Sequence, residues 1–179
     1  MHITTRKLAA AAVTGAAYAA LTMLLAPISY GAIQCRVSEV LCILPFFIPC
    51  TAWGLFAGCA IANLLSAAGI FDVVFGSLAT LLAALCTAWL GRGRGAQSWL
   101  RSVLAALMPV VFNFVFVGAV LTWSLTDAAF PHLNASFWLF GGQVALGEVA
   151  VLGILGLPLM RLLPRNPKFR EIIRSYQKE

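Results

Sequence analysis

The side chains best placed to do chemistry are a handful of polar groups set inside otherwise lipid-soluble runs. The stretch Tyr30–Pro45, YGAIQCRVSEVLCILP, puts Gln34, Arg36 and Glu39 where an apolar segment begins. A charge at a helix centre in a bilayer costs about 3 kcal/mol on insertion scales, so such groups pair or line a polar cavity. Arg36 and Glu39 are three residues apart and share a helix face. They either neutralise each other and hold the entry to the segment, or face a cavity. Glu148 lies midway along GGQVALGEVAVLG with no Lys or Arg at its level. That isolation favours a functional carboxylate over a structural one. Asn113, in PVVFNFVFVG, sits at comparable depth, either as a site residue or as an interhelical hydrogen bond. Gln143 precedes Glu148 by five residues, about 140° around a helix, so the two need not face one space. Asp72 caps a helix start or partners its dipole, or, with Gly76 and Thr80, lines a cavity. Asn63 stands near the end of another apolar run.

Enzymatic constellations are weak by comparison. Ser77 stands in FGSLA, but the histidines are His2 and His132, and neither is placed by sequence to activate it. The five cysteines (35, 42, 50, 59 and 86) form no CxxC, have no histidine beside them, and read as small packing residues. No metal-ligand cluster, phosphate loop or ATPase motif is present, so no catalytic residue, metal or cofactor is assigned to the chain. An energy source for active transport would have to be a partner subunit or an ion gradient.

The elements that position these groups follow from composition. The chain is 61% hydrophobic and 10% charged. Its apolar runs are continuous rather than alternating, which selects helices over a barrel. The expectation is an all-α polytopic membrane protein of one domain, 1–179. Its six spans fall at about 8–26, 34–46, 50–67, 71–90, 98–123 and 136–163, the second short and ended by the Pro45–Pro49 turn. The first run is longer than a secretory signal core and lacks a clean cleavage site, so a retained span is favoured. With the N-terminus inside, eleven of the twelve Lys and Arg residues fall on the cytoplasmic side, Arg36 being the exception. Both termini are then cytoplasmic. The net charge of +6 is thereby explained by orientation, not by nucleic-acid binding. Ala12, Ala16 and Ala20 repeat at four-residue spacing, a face that packs either inside the chain or on another protein. Gly54, Gly58 and Ala62 form a similar stripe that favours internal packing. The tail NPKFREIIRSYQKE, with Phe169, Ile172, Ile173 and Tyr176 at helical spacing, is either a short interfacial helix or a solvated basic tail.

LTMLLAPISYGAIQCRVSEVLCILPFF, GLFAGCAIANLL and DVVFGSLATLLAA together resemble the QueT family. Those proteins are the substrate-binding S components of energy-coupling factor (ECF) transporters for queuosine precursors. The resemblance is strong over about residues 12–90 and looser through NFVFVG and GEVAVLGILGLPL. It implies the six-helix S-component fold in the cell membrane. It implies a substrate, a 7-deazaguanine base, held in the outer half under the loop Pro27–Ile33. It also implies that Ala12 and Ala16, with Ala20 on the same face, dock on a transmembrane coupling protein, and that two partner ATPase subunits hydrolyse ATP. For such a base, Glu148 could accept paired N–H bonds, and Asn113 or Gln143 could serve another ring edge. Tyr30, Phe116 and Trp138 are candidates to stack on the ring. Arg36, Glu39, Asp72 and Asn63 complete the candidate set, Glu39 and Asp72 favouring a cationic aminomethyl group. Competing expectations are an S component for another vitamin-like solute, an intramembrane hydrolase or transferase using Ser77 and His132, and a structural scaffold.

Overall fold

The computed structural model describes residues 4–30, 34–66, 68–92, 98–126 and 134–177. Every regular element among them is helical. Helix α1 (Thr5–Leu24) starts where the Thr4 hydroxyl accepts from the Lys7 backbone N–H at 3.4 Å. Pro27 opens a short helix α2 (Ala26–Ser29). A ten-residue 3-10 helix, Val37–Phe46, follows. Next come α3 (Thr51–Asn63) and a single π turn (Asp72–Gly76) that runs into α4 (Ser77–Leu90). Helix α5 (Trp99–Thr126) carries Pro109 inside it. Asn134 caps α6 (Ala135–Val151), its side-chain oxygen accepting from the Phe137 N–H at 3.1 Å. A second π turn (Leu152–Gly156), α7 (Leu157–Leu162), a 3-10 turn (Leu163–Arg165) and α8 (Pro167–Gln177) complete the described chain.

Among the described residues four stretches are long and apolar enough to cross a membrane: Thr5–Leu24, Asp72–Leu90, Trp99–Thr126 and Ala135–Arg165. The segments expected at 34–46 and 50–67 are shorter than the other four. Pro45 and Pro49 end the first, and turns after Asn63 end the second, where Gly69 adopts a positive φ of 63°. A ten-residue 3-10 helix and the thirteen residues of α3 each reach about 20 Å, short of a core of about 30 Å. Winding the polar segment as a 3-10 helix gains length, since the same ten residues as an α-helix reach about 15 Å. The 3-10 helix threads the middle of the bundle. Its Cys42 joins a core with Tyr18, Leu55, Cys59 and Ala84, and its Ile43 and Phe46 join another with Ala105, Val110 and Leu152. Large apolar side chains such as Val13, Leu24, Leu65 and Ile154 face outward, as lipid contact requires.

Glycines bring α1 and α3 into backbone contact. A methyl group on Gly54 would collide with the Ala11 carbonyl, and one on Gly58 with that of Gly15. The Gly54, Gly58, Ala62 stripe is thus buried by internal packing, as its spacing suggested. Ala12, Ala16 and Ala20 lie on the other side of α1 and are exposed.

One end of the bundle gathers the described basic residues apart from Arg36. The Tyr176 hydroxyl donates to the Arg6 carbonyl at 3.2 Å, and the Arg6 guanidinium lies 5.7 Å from the Tyr176 ring centre. Arg161 stacks on Trp99 at 3.9 Å, and Arg101 donates to the Arg92 carbonyl at 3.1 Å. The two ends of the described chain therefore meet at this basic end. The tail forms helix α8, and Phe169 packs edge-on against Phe47 at 5.6 Å. Arg94 and Lys178 lie outside the described residues, as do Ala67, Asp127, His132 and loop residues 31–33.

Candidate functional site

The candidate site is a buried polar cluster in the half of the bundle away from the basic end. Its scaffold is the 3-10 helix. Three residues per turn eclipse positions i and i+3. Arg36, which precedes the helix, therefore shares one ridge with Glu39, Cys42 and Pro45, and all four are buried. Glu39 is fully buried and accepts hydrogen bonds from the Tyr18 hydroxyl and, at 3.0 Å, from the Cys42 thiol. Ser38, on the adjacent ridge, meets the Thr22 hydroxyl at 2.6 Å and ties the segment to α1.

The expected mutual neutralisation of Arg36 and Glu39 does not occur. Arg36 Nη2 instead donates to Asp72 Oδ2 at 3.4 Å, the one ion pair among the described residues. Although the two share a ridge, Glu39 is held by the Tyr18 hydroxyl and the Cys42 thiol, and the guanidinium reaches across to the π turn. Asp72 makes no capping bond, but it stands in the first turn of the π segment that runs into α4, where a carboxylate suits the helix dipole. Asn63 braces that turn, its side-chain N–H donating to the Asp72 carbonyl at 2.9 Å. Gly76 makes room for both groups, because a methyl there would lie 2.6 Å from Asn63 Nδ2 and from Asp72 Oδ1. Tyr30 covers the pair. Its hydroxyl donates to the Ala62 carbonyl at 2.5 Å, and Arg36 lies 5.5 Å from its ring centre. Burial pushes the Tyr30 phenol above its usual range, with Arg36 opposing, so it stays a hydrogen-bond donor.

Glu148 completes the cluster from α6. It is 2% exposed and accepts a hydrogen bond from the Asn113 side-chain amide on α5. Asn113 thus makes the interhelical bond foreseen for it. Among the described residues Glu148 forms no ion pair, though the charges of Arg36 and Glu39 come within its electrostatic reach. The long-range packing responsible was hidden in the sequence. Gly147 presses against the Gln34 carbonyl and Cys35, which holds α6 to the polar segment. Gln34 itself is buried there.

Not every candidate joins. No described hydrogen bond links Gln143 to the cluster, and its side chain is half-buried. Phe116 stacks on Phe112 at 6.4 Å, and Trp138 packs beside Phe114 at 5.7 Å while remaining 60% exposed. The Ser77 hydroxyl donates to the Val73 and Val74 carbonyls, and its proposed partner His132 lies outside the described residues. Tyr18, Thr22 and Ser38 were not foreseen; a tyrosine alone in an alanine-rich helix was the available signal. Cys42 and Cys59 do more than fill space. Cys59 accepts from the Thr80 hydroxyl at 3.2 Å and from Asn63 Nδ2 at 3.5 Å. Among the described residues no three His, Cys, Asp or Glu side chains are grouped to hold a metal.

Among the described residues six buried side-chain atoms have no hydrogen-bond partner, and five belong to this cluster: Arg36 Nε, Asn63 Oδ1, Asp72 Oδ1, Asn113 Oδ1 and Glu148 Oε2. Leaving such an atom unmatched costs about 1–3 kcal/mol, more when charged. Four of the five are acceptors and one is a donor. The arrangement suits a buried guest rich in N–H groups that also offers an acceptor.

The QueT transporter family matches residues 8–165 of this sequence. The chain belongs to that family. A relative from Lactococcus lactis subsp. cremoris (strain MG1363), described as queuosine precursor transporter QueT, is 33% identical over 146 residues. That alignment covers 80% of this chain and 83% of the relative. No solved structure matches. The protein is therefore a membrane transporter of the QueT family and not an enzyme. The matched region contains the whole polar cluster, from Tyr18 to Glu148.

Proposed function

We propose that this QueT-family protein is the substrate-binding S component of an ECF importer and that it binds a queuosine precursor, a 7-deazaguanine base. The observation that carries the reading is the acceptor-rich set of unmatched buried atoms. A deazaguanine offers ring and exocyclic N–H donors along one edge and a carbonyl beside them. The carboxylate of Glu148 or Asp72 accepts the N–H groups, and Arg36 Nε donates to the carbonyl. Glu39, Asn63 and Asn113 hold these groups in place, and Tyr30 supplies an aromatic face beside Arg36. The name of the Lactococcus relative points to the same substrate class.

The remaining parts of the proposal follow from the faces left open. The exposed Ala12, Ala16, Ala20 face of α1 docks on the transmembrane coupling protein, since small side chains let another helix approach closely. Two partner ATPases supply the energy, and this chain uses no cofactor of its own. The basic end faces the cytoplasm with both termini, in keeping with the positive-inside rule. Six crossings of the cell membrane, two of them by the short segments, complete that topology.

Calorimetric titration of the purified protein with the aminomethyl and cyano 7-deazaguanines tests the reading, with Glu148→Gln alongside. Loss of a charged hydrogen-bond acceptor should weaken binding about 10- to 100-fold. Tight binding unchanged in Glu148→Gln would remove Glu148 from the site. No binding of either base by folded protein would remove the substrate class.

A further inference from the structure

The largest group of unpaired positive charge in the described chain lies at the basic end, far from the polar cluster. Arg161, Arg165, Arg170 and Arg174 line a cavity of 670 Å³ together with Phe47 and Trp99. Among the described residues none of the four is ion-paired. Their positions are set by the fold. Arg161 stacks on Trp99, Arg170 Nε donates to the Pro164 carbonyl at 3.1 Å, and Asn166 Oδ1 accepts from the Lys168 N–H at 2.9 Å at the start of α8. Four like charges around one cavity repel each other, and an anion between them relieves that repulsion.

A second groove of 450 Å³ shares Trp99, Arg161 and Arg165 with the first. Its other lining is apolar: Gly153, Leu157, Pro158 and Leu162. A methyl group added at Gly153 would meet nothing within 4 Å, and Leu162 is exposed. The groove therefore opens on the outer, lipid-facing side of α6 and α7. A soluble anion would account for the arginines alone. Arginines continuous with an apolar groove at the end of membrane-spanning helices call for an amphiphile. We propose that these two cavities form one binding site for an anionic glycerophospholipid, the phosphate held by the arginines and an acyl chain lying along Gly153–Leu162. Guanidinium groups suit phosphate because they donate in parallel pairs. The amphipathic α8, anchored through Phe169 on Phe47 and exposing Ile172, lies at the depth where such a headgroup sits.

Native mass spectrometry of the full chain, released from detergent with equal amounts of phosphatidylglycerol and phosphatidylcholine, tests the site. The protein should retain phosphatidylglycerol preferentially. Arg161→Gln/Arg165→Gln should reduce that preference by about fivefold for each arginine removed. Arg170→Gln/Arg174→Gln should do the same, and it covers the case in which the first variant does not fold. Arg92→Gln/Lys168→Gln removes equal charge from the same end outside both cavities and should behave as wild type. Equal loss in that control would reduce the effect to general surface charge and overturn the site. So would full preference in both cavity variants. Inorganic phosphate abolishing lipid retention would assign the arginines to a soluble phosphate instead. Retained lipid preference, with the cavity variants failing to co-purify with coexpressed coupling subunits, would assign them to a protein partner.

Discussion

Helix α3 takes part in two interiors that could hardly differ more. Along Gly54 and Gly58 it lies against α1 backbone to backbone, where no side chain intervenes and dispersion and close approach do the holding. One turn further, at Cys59 and Asn63, the same helix enters a cluster containing three buried carboxylates, a guanidinium and several unmatched polar atoms. The first region gains stability from every contact it makes. The second leaves buried hydrogen-bonding capacity unused, which is tolerable only if a guest uses it. The comparison teaches how the two depend on each other. A cluster that destabilises its own fold needs a rigid seam beside it to keep its geometry.

The largest effect should come from breaking the seam. Gly54→Leu would drive a side chain into the Ala11 carbonyl, where only backbone can give way. Overpacking of this kind costs about 1–3 kcal/mol when side chains can shift, and more when they cannot. The expected result is loss of the monodisperse peak in detergent gel filtration. Gly142→Ala, placed where a methyl meets nothing within 4 Å, should elute as wild type. A well-folded Gly54→Leu protein would show that the helices can separate there without harm.

Arg36 should come next, because it divides pairing from function. Arg36→Met leaves Asp72 buried without its cation, and breaking one side of such a pair costs about 3–5 kcal/mol. Arg36→Met/Asp72→Asn removes both charges and should recover most of the thermal stability. Deazaguanine binding should remain lost in both. Recovery of binding together with stability in the double variant would make the pair a structural tie and remove it from the proposed site.

How much of this could be read beforehand follows the same division. The helical class, the long apolar stretches, the gathering of basic residues at one end and the glycine stripe of α3 are periodic or compositional, and such features are legible in a linear sequence. The polar residues were legible as candidates because they stand out against lipid-soluble neighbours. Their partners were not. Arg36 pairs with Asp72 rather than Glu39 because Tyr18, from another helix, and Cys42 already bond the Glu39 carboxylate, and nothing in ten residues of mixed polarity specifies those partners. Glu148 meets Asn113 and comes near Arg36 because Gly147 lets α6 approach the Gln34 backbone. The segment at 34–46 was drawn short because its prolines are visible in the sequence, whereas α3 was drawn to 67 because apolar content does not reveal the turns that end it at Asn63. Trp138 was a reasonable stacking candidate by type, yet its position on α6 turns it outward.

The smallest effect, and the finest division, lies with Tyr18. It stands on α1, the seam helix, and sends its hydroxyl into the cluster to Glu39. Tyr18→Phe keeps the ring in its core beside Leu55 and Ala84 and removes only that donor. The Glu39 carboxylate keeps the Cys42 thiol as a partner, so the loss should approach the lower end of the 1.5–3 kcal/mol typical of a hydrogen bond to a charge. If Tyr18 serves only the seam, the variant will melt slightly earlier and bind substrate unchanged. If it also orients Glu39, whose field reaches Glu148, affinity should fall several-fold, about 1 kcal/mol, beside that small change in melting. The fully buried hydroxyl and its direct bond to Glu39 favour the second outcome. Measuring melting temperature and affinity on the same preparation separates the two, because only the orienting role moves affinity.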